Sequence, residues 1–443
     1  MATLRDIPEV AGLDARTGLV RIPPEIDVPL TPRVRRILDT PGFRRLSRIS
    51  QLGLVNLVYP SAHHTRMEHS LGVYRLSLLT LRSLAGDPHF RRLVAVEDAE
   101  CFILAALLHD LGHWPFCHPI EDIDLADVPT HEQFAERFLN DRPIADALRT
   151  DWGIDPSHLL KLLCGRPEST AMRILQSLLS GPIDIDKMDY LMRDSLHAGV
   201  PYGRNFDQSR LVRNLCLNET RDGLAITDKG KTAAEMMVFA RYVMFSEVYW
   251  HHGVRSATAM LLRAFYLLHG DLDLEVCFCL TEDQLIERLR VSAAQGPAAE
   301  LLDGLFGTTR RLYKRLRQYS LYEQPEVYQR LVGRPYPWLV ACAAEWARLA
   351  GDQIGRPVAP CEILIDAPPA HREVEFDLPV YFPKEDRYRP LGDISPVVRT
   401  LAREQFDDYV KRVRIFVHPR LANAWKTGDT IDRLVHQAVD GLT

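Results

Sequence analysis

No run of about 18 apolar residues occurs anywhere in the chain, so a membrane-spanning helix is not expected. The N-terminal stretch MATLRDIPEVAG carries acidic residues and a proline where a secretory signal has an apolar run. Cysteine is sparse and scattered: there are 8, and the nearest two are Cys277 and Cys279. That spacing is neither a C-x-x-C zinc pattern nor a disulfide framework, and it points to a reducing, cytoplasmic compartment. A basic excess is also missing, with 54 Lys and Arg against 59 Asp and Glu and a formal net charge of −5. Extended duplex binding is therefore disfavoured, although contact with nucleic acid is not excluded. No internal repeat stands out.

What is present is ordinary globular composition, 46% apolar and 26% charged, over 443 residues. That length predicts more than one domain. Residues 1–30 read as an extended N-terminal segment, with a short strand at Leu19-Val20-Arg21-Ile22 broken by Pro23 and Pro24. Residues 31–350 read as helical, with apolar residues three and four apart at 32–39, 97–112 and 233–268. Thr40-Pro41-Gly42 and Gly181-Pro182 serve as helix punctuation. A proline cluster at 356–369 marks a change of texture. Beyond it, strands are expected at 362–365, 374–382 and 413–417, with a helix at about 396–411. The expected fold class is mostly α: a helical domain followed by a small α+β domain over 351–443.

The informative segment is Cys101-Phe-Ile-Leu-Ala-Ala-Leu-Leu-His109-Asp110-Leu-Gly-His113-Trp-Pro-Phe-Cys-His118. An apolar helix ends by presenting a histidine beside an aspartate. A buried imidazole and carboxylate are costly without partners, and a divalent metal is one good partner. Gly112 and Pro115 then turn the chain, so that His113 and His118 point back to the same place. A plain hydrogen-bonded His–Asp pair at a helix end is the blander alternative. Two other blocks weigh against it: His69 near the start of an earlier helix, and Asp184-Ile-Asp186-Lys187-Met-Asp189-Tyr190 further on. Their own bland alternative is a solvated helix start with acidic residues favoured by the helix dipole.

The order His69 … His109-Asp110 … Asp186 resembles the H…HD…D signature of HD-domain phosphohydrolases. The wider likeness is to their deoxynucleoside-triphosphate triphosphohydrolase branch, closest in texture to its bacterial members. It is carried by Asp39-Thr-Pro-Gly-Phe-Arg-Arg-Leu46, Gln51-Leu-Gly53, Arg66-Met-Glu-His-Ser-Leu-Gly72, His109 to His118, His131-Glu-Gln133 and Asp186 to Asp194, and it spans roughly residues 15–265. The resemblance implies that His69, His109, Asp110 and Asp186 ligate one divalent metal: manganese, iron, magnesium or zinc. It implies that His131 with Glu121 activates water, that His118 protonates the leaving oxygen and that His113 holds phosphate. Relatives more usually carry aspartate where Glu121 stands. Arg66 and Lys187 match triphosphate-binding positions, Tyr190 and Asp194 line the sugar, and Gln51 contacts its hydroxyl. Arg255 is the candidate for a further phosphate-binding arginine. For Arg66 the alternative is a surface ion pair with Glu68. A nucleotide substrate and a homo-oligomer are expected by the same resemblance. Positions serving the regulatory nucleotide site of animal members read Arg44 and Ser47 here, so activation by a nucleotide is not implied.

Three other readings compete. His109-Asp110-Leu-Gly-His113 imitates the H-E-x-x-H of zinc peptidases, but that chemistry wants glutamate and an unbroken helical turn. An HD-type phosphodiesterase or nuclease would use the same metal on an internucleotide bond of a single strand or on a cyclic dinucleotide. A nucleotide-sensing protein would keep the pocket without turnover.

Overall fold

In the computed structural model, residues 3–368, 378–401, 410–425 and 427–442 are described. The fold is mostly α, and no helix among the described residues is long and apolar enough to cross a membrane. All eight cysteines are unpaired.

At the centre lies the helix Val96–Leu108, buried at every position from Ala99 to Leu108 except Glu100. A helix apolar on all sides belongs inside a fold. Each fully buried leucine or phenylalanine there contributes about 1.5–3 kcal/mol relative to exposure. The helix Arg66–Leu84 packs along it, and Ile185–His197 packs on Arg66–Leu84 in turn. Gly72 permits that second contact: a Cβ there would stand 1.9 Å from Asp189 Oδ1.

The N-terminal segment is not simply extended. Helical turns at Leu4–Asp6 and Pro8–Ala11 precede an antiparallel hairpin of β1 (Leu19–Ile22) and β2 (Ile26–Pro29), with Val20 opposite Val28. Thr40 caps the helix Pro41–Arg45, and Gly181 closes Thr170–Ser180, as the punctuation predicts. The periodicity over 233–268 is interrupted: Lys231–Met244 passes into a π-helical turn at Phe245–Tyr249 before His252–Leu268 begins. Apolar spacing reports the buried face on either side and is blind to the extra residue in the turn.

The helical stretch also contains strands. β3 (Leu215–Leu217) and β4 (Leu224–Thr227) form a sheet with β7 (Pro379–Phe382) and β8 (Arg387–Pro390), in the order β3-β4-β7-β8 with β4 and β7 parallel. β5 (Lys314–Tyr319) joins β6 (Ile363–Asp366) and β9 (Val413–Val417) in an antiparallel sheet with β9 in the middle. That second sheet and the helices Tyr336–Ile354 and Gly428–Asp440 enclose a separate apolar core around Trp346, Ile415 and Leu434. This core begins at Tyr319, so a boundary at 350 would cut through it. The helix 336–354 ends at Gly355, whose φ of +69° suits glycine. The expected strand at 374–382 is seen over 379–382, and residues 374–377 lie outside the described residues. The expected helix at 396–411 begins at Pro396–Thr400, and residues 402–409 likewise lie outside them.

Candidate metal centre

Three chain segments bring His69, His109 and Asp186 together. Thr65 caps the helix Arg66–Leu84 and sets His69 in its first turn. The buried helix 96–108 ends at Leu108, leaving His109 as its C-cap and Asp110 just beyond. Asp184 caps Ile185–His197 by accepting from Lys187 N at 2.7 Å, which puts Asp186 in the first turn.

Hydrogen bonds on the far side of each ring fix how the two imidazoles point. His109 Nδ1 donates to the carbonyl of Ala106 at 3.0 Å, and a carbonyl only accepts. His69 Nδ1 donates to Asp189 Oδ2 at 2.8 Å. Both Nε2 atoms therefore present lone pairs inward, 3.2 Å apart. Asp186 Oδ1 stands 2.9 Å from His69 Nε2 and 3.6 Å from His109 Nε2. Asp110 Oδ1 stands 3.4 Å from His109 Nε2. Acceptors converge here with no donor among them, and a divalent cation resolves that arrangement. The donor set fits the implied metal. Without a cation, a proton takes its place: burial pulls the His69 pKa down, but hydrogen bonds to Asp186 and Asp189 raise it to about 10. Burial raises the Asp110 pKa, and the charges of Arg66 and His109 bring it down to about 2. Asp186 keeps 33% of its side chain exposed, so the group has an opening. His69, His109 and Asp186 make the tight group, with Asp110 at its edge.

A second cluster adjoins the first. Asp110 Oδ1 also lies 3.2 Å from His113 Nδ1. The rings of His113 and His131 lie 3.8 Å apart between centroids, tilted by 34°, and His113 Nε2 is 3.4 Å from His118 Nε2. Glu121 accepts from His131 Nδ1 at 3.0 Å and also from its backbone N–H. The glutamate side chain is thus long enough to reach both the ring and the backbone of His131. Burial raises the Glu121 pKa, but hydrogen bonds from His118 and His131 hold it well below the usual carboxylate value. Burial and the nearby charge of Arg66 keep His113 well below the ordinary histidine value. Gly112 allows the clusters to meet: a Cβ there would stand 2.1 Å from the carbonyl oxygen of His131 and 2.6 Å from Ala135 N. Phe116, at φ +58°, then turns the chain into the short helix Cys117–Glu121.

The remaining sequence candidates divide. Gln51 has a buried side-chain oxygen with no partner, free to accept from a ligand. Arg66 donates to Asp110 Oδ2 at 2.9 Å. The alternative pair with Glu68 does not form, because Glu68 accepts from Arg193 at 2.6 Å and from His197 at 2.8 Å. Lys187 Nζ turns back to Asp184 and to the carbonyl of Gly181. Asp194 accepts from Tyr249 Oη at 2.6 Å and faces His64 Nε2 at 2.9 Å. Tyr190 is close enough to Arg241 and Asp194 to feel their charges. Arg255 is committed elsewhere, donating to both oxygens of Asp366 at 3.0 and 2.5 Å. The carboxylates of 184–189 are not a solvated helix start, since Asp184 and Asp189 are 1% and 5% exposed. Nor do His109 and His113 share a helical turn, which removes the zinc-peptidase geometry. Sequence reasoning missed Asp189, His64 and Tyr249 as partners. For Asp189 a signal existed, because it and Arg193 are four apart on one helix face.

The HD domain family matches residues 66–191, and the HD associated region matches residues 206–426. Uncharacterized protein MJ1154 of Methanocaldococcus jannaschii is 29% identical over 379 residues, covering 85% of this chain and 74% of that one. Human deoxynucleoside triphosphate triphosphohydrolase SAMHD1 is 31% identical over 270 residues, covering 54% of this chain but only 42% of its own length. A crystal structure of a hypothetical protein from Aquifex aeolicus superposes with a TM-score of 0.70 at 26% identity, covering 96% of this chain and 99% of that chain.

Proposed function

We propose, since the chain belongs to the HD-domain phosphohydrolase superfamily, that it hydrolyses deoxynucleoside triphosphates to nucleoside and inorganic triphosphate. The observation that carries this reading is Asp110, whose Oδ1 lies 3.4 Å from His109 Nε2 and 3.2 Å from His113 Nδ1. It joins a metal-ligating group to an acid–base group at one carboxylate. The choice of substrate rests on similarity to the human triphosphohydrolase over 54% of the chain.

A divalent cation held by His69, His109, Asp110 and Asp186 supplies Lewis-acid polarisation of the phosphoryl group and acidifies water. The chain's own residues do the rest. Glu121 holds His131 with Nδ1 protonated, so Nε2, which lies 3.3 Å from Glu132 Oε1, is the nitrogen that accepts a proton from the attacking water. The water oxygen bonds to the phosphorus nearest the sugar, and the bond from that phosphorus to the sugar oxygen breaks. His118, exposed over 61% of its side chain, exchanges protons with solvent and donates one to the departing oxygen. His113 stays neutral at ordinary pH and offers a hydrogen bond to phosphate. Arg66 and Lys187 offset phosphate charge once the substrate competes with their carboxylate partners. Gln51, Tyr190 and Asp194 face the sugar.

The test incubates metal-reconstituted protein with each dNTP, each NTP and a single-stranded oligonucleotide, alongside Asp110→Ala. Nucleoside and inorganic triphosphate released from a dNTP by the wild type alone are expected. Monophosphate products or oligonucleotide cleavage would move the assignment to a phosphatase or a nuclease on the same metal. Tight nucleotide binding without turnover would make it a sensor.

A further inference from the structure

One side chain inside the acid–base cluster has no part in the chemistry above. Cys117 opens the short helix Cys117–Glu121 and is 1% exposed. Its Sγ, a ring nitrogen of His113 and a ring nitrogen of His131 all lie within 4.8 Å of one another. Tetrahedral zinc, with bonds of about 2.0 Å to nitrogen and about 2.3 Å to sulfur, spaces such donors roughly 3.5 Å apart. Small side-chain rotations therefore close the set.

A second observation points the same way. His113 is 3% exposed, and its Nδ1 has no hydrogen-bond partner, lying 3.2 Å from Asp110 Oδ1 but outside hydrogen-bonding geometry. A buried imidazole nitrogen left unsatisfied costs stability unless something binds it. The three donors here are two imidazoles and a sulfur, with Glu121 and Asp110 standing beside the rings and outside the group of three. The first group adds two carboxylates to its two imidazoles. Thiolate selects zinc over magnesium or manganese, so the two sites differ in the cations they prefer.

We propose that His113, Cys117 and His131 form a second metal site that takes zinc or another thiophilic divalent cation and arrests turnover by occupying the acid–base histidines. Binding forms a sulfur–metal bond and sends the Cys117 thiol proton to solvent, and no electrons are transferred. A lone pair on His131 given to the metal no longer accepts a proton from water. His118 offers the way in from solvent. An overlapping group of His118, Glu121 and His131 shares one of the same rings but needs no thiol.

Cys117→Ser separates the two groups. The full-length protein is dialysed against zinc and its bound metal counted by atomic emission. In parallel, cobalt(II) is titrated and the near-ultraviolet thiolate-to-cobalt absorption followed. The wild type is expected to hold one more equivalent than Cys117→Ser and to show the absorption band, which the variant loses. Manganese-supported turnover is expected to be the same in both proteins. Zinc inhibition should be weaker in the variant by at least about tenfold, the scale on which altered ligation shifts metal affinity. An extra equivalent that persists in Cys117→Ser, or a wild type without the band, overturns the proposal. The metal count and the band do not depend on the substrate, so their failure is distinguishable from failure of the triphosphohydrolase reading.

Discussion

His69 and Asp189 sit on neighbouring helices and share a hydrogen bond of 2.8 Å, with the carboxylate also held by Arg193 Nε at 2.7 Å. Through that bond the aspartate aims the ring, and a carboxylate on the far nitrogen of an imidazole raises its basicity toward a metal. Such partners typically govern affinity by about 10–100-fold. Asp189→Asn is expected to weaken metal binding by that factor, measured by competition with a chromophoric chelator. Unchanged affinity would make the contact purely structural.

Gly112→Ala places a methyl group against the backbone of His131 and Ala135. The helix His131–Leu139 must move, at a cost of about 1–3 kcal/mol. Because His131 shifts while His69, His109 and Asp186 do not, kcat should fall by at least about tenfold with metal content preserved. Joint loss of metal and turnover would refute the separation of the two groups.

The metal-free protein should respond to pH through His69. Its folded pKa of about 10 lies above the ordinary 6.5. The stability it contributes is therefore fully present below pH 6.5 and lost as pH rises toward 10. Thermal melts of chelated protein are expected to fall across that window and those of metal-loaded protein to be flatter. Metal affinity should rise over the same range, since the cation competes with the proton. A chelated protein whose melting temperature does not decline would contradict this.

Tyr249 Oη donates to Asp194, whose other oxygen faces His64. Tyr249→Phe removes a hydrogen bond to a charged group, worth about 1.5–3 kcal/mol. The expected outcome is a kcat/KM for dNTPs lower by about tenfold or more, with metal binding unaltered. Equal kinetics for both proteins would detach Asp194 from the substrate.

Arg255 admits two outcomes. Breaking a buried, bidentate pair with Asp366 costs about 3–5 kcal/mol. Arg255→Ala should therefore lower the unfolding midpoint substantially. A variant of normal stability that has lost turnover would instead restore Arg255 as a phosphate ligand.

The sequence made much of this readable, for identifiable reasons. Metal ligation restricts residue type, so the ordered set His69, His109-Asp110 and Asp186 could be matched to the HD-domain signature, and the structure brings His69, His109 and Asp186 together. The apolar run before His109 is legible as a buried helix because every face of it is hydrophobic. Periodicity reports burial and not partners, so the pairing of Arg66 with Asp110, of Lys187 with Asp184 and of Arg255 with Asp366 was out of reach. Tyr249 escaped for a different reason. It ends a π turn, and that extra residue rotates everything after it relative to helical spacing. Of the strands inside the helical stretch, β3 and β4 are only 3 and 4 residues long, and the 6 residues of β5, Lys-Arg-Leu-Arg-Gln-Tyr, lack the β-branched run that marks a strand.

The order of strands in the second sheet carries a consequence for how the chain is made. β9 lies between β5 and β6, yet it is the last of the three to leave the ribosome. Until residues 413–417 emerge, both earlier strands expose open edges able to pair with another chain. A message truncated between Asp366 and Val413 would yield a polypeptide with its candidate catalytic residues complete and a strong tendency to aggregate.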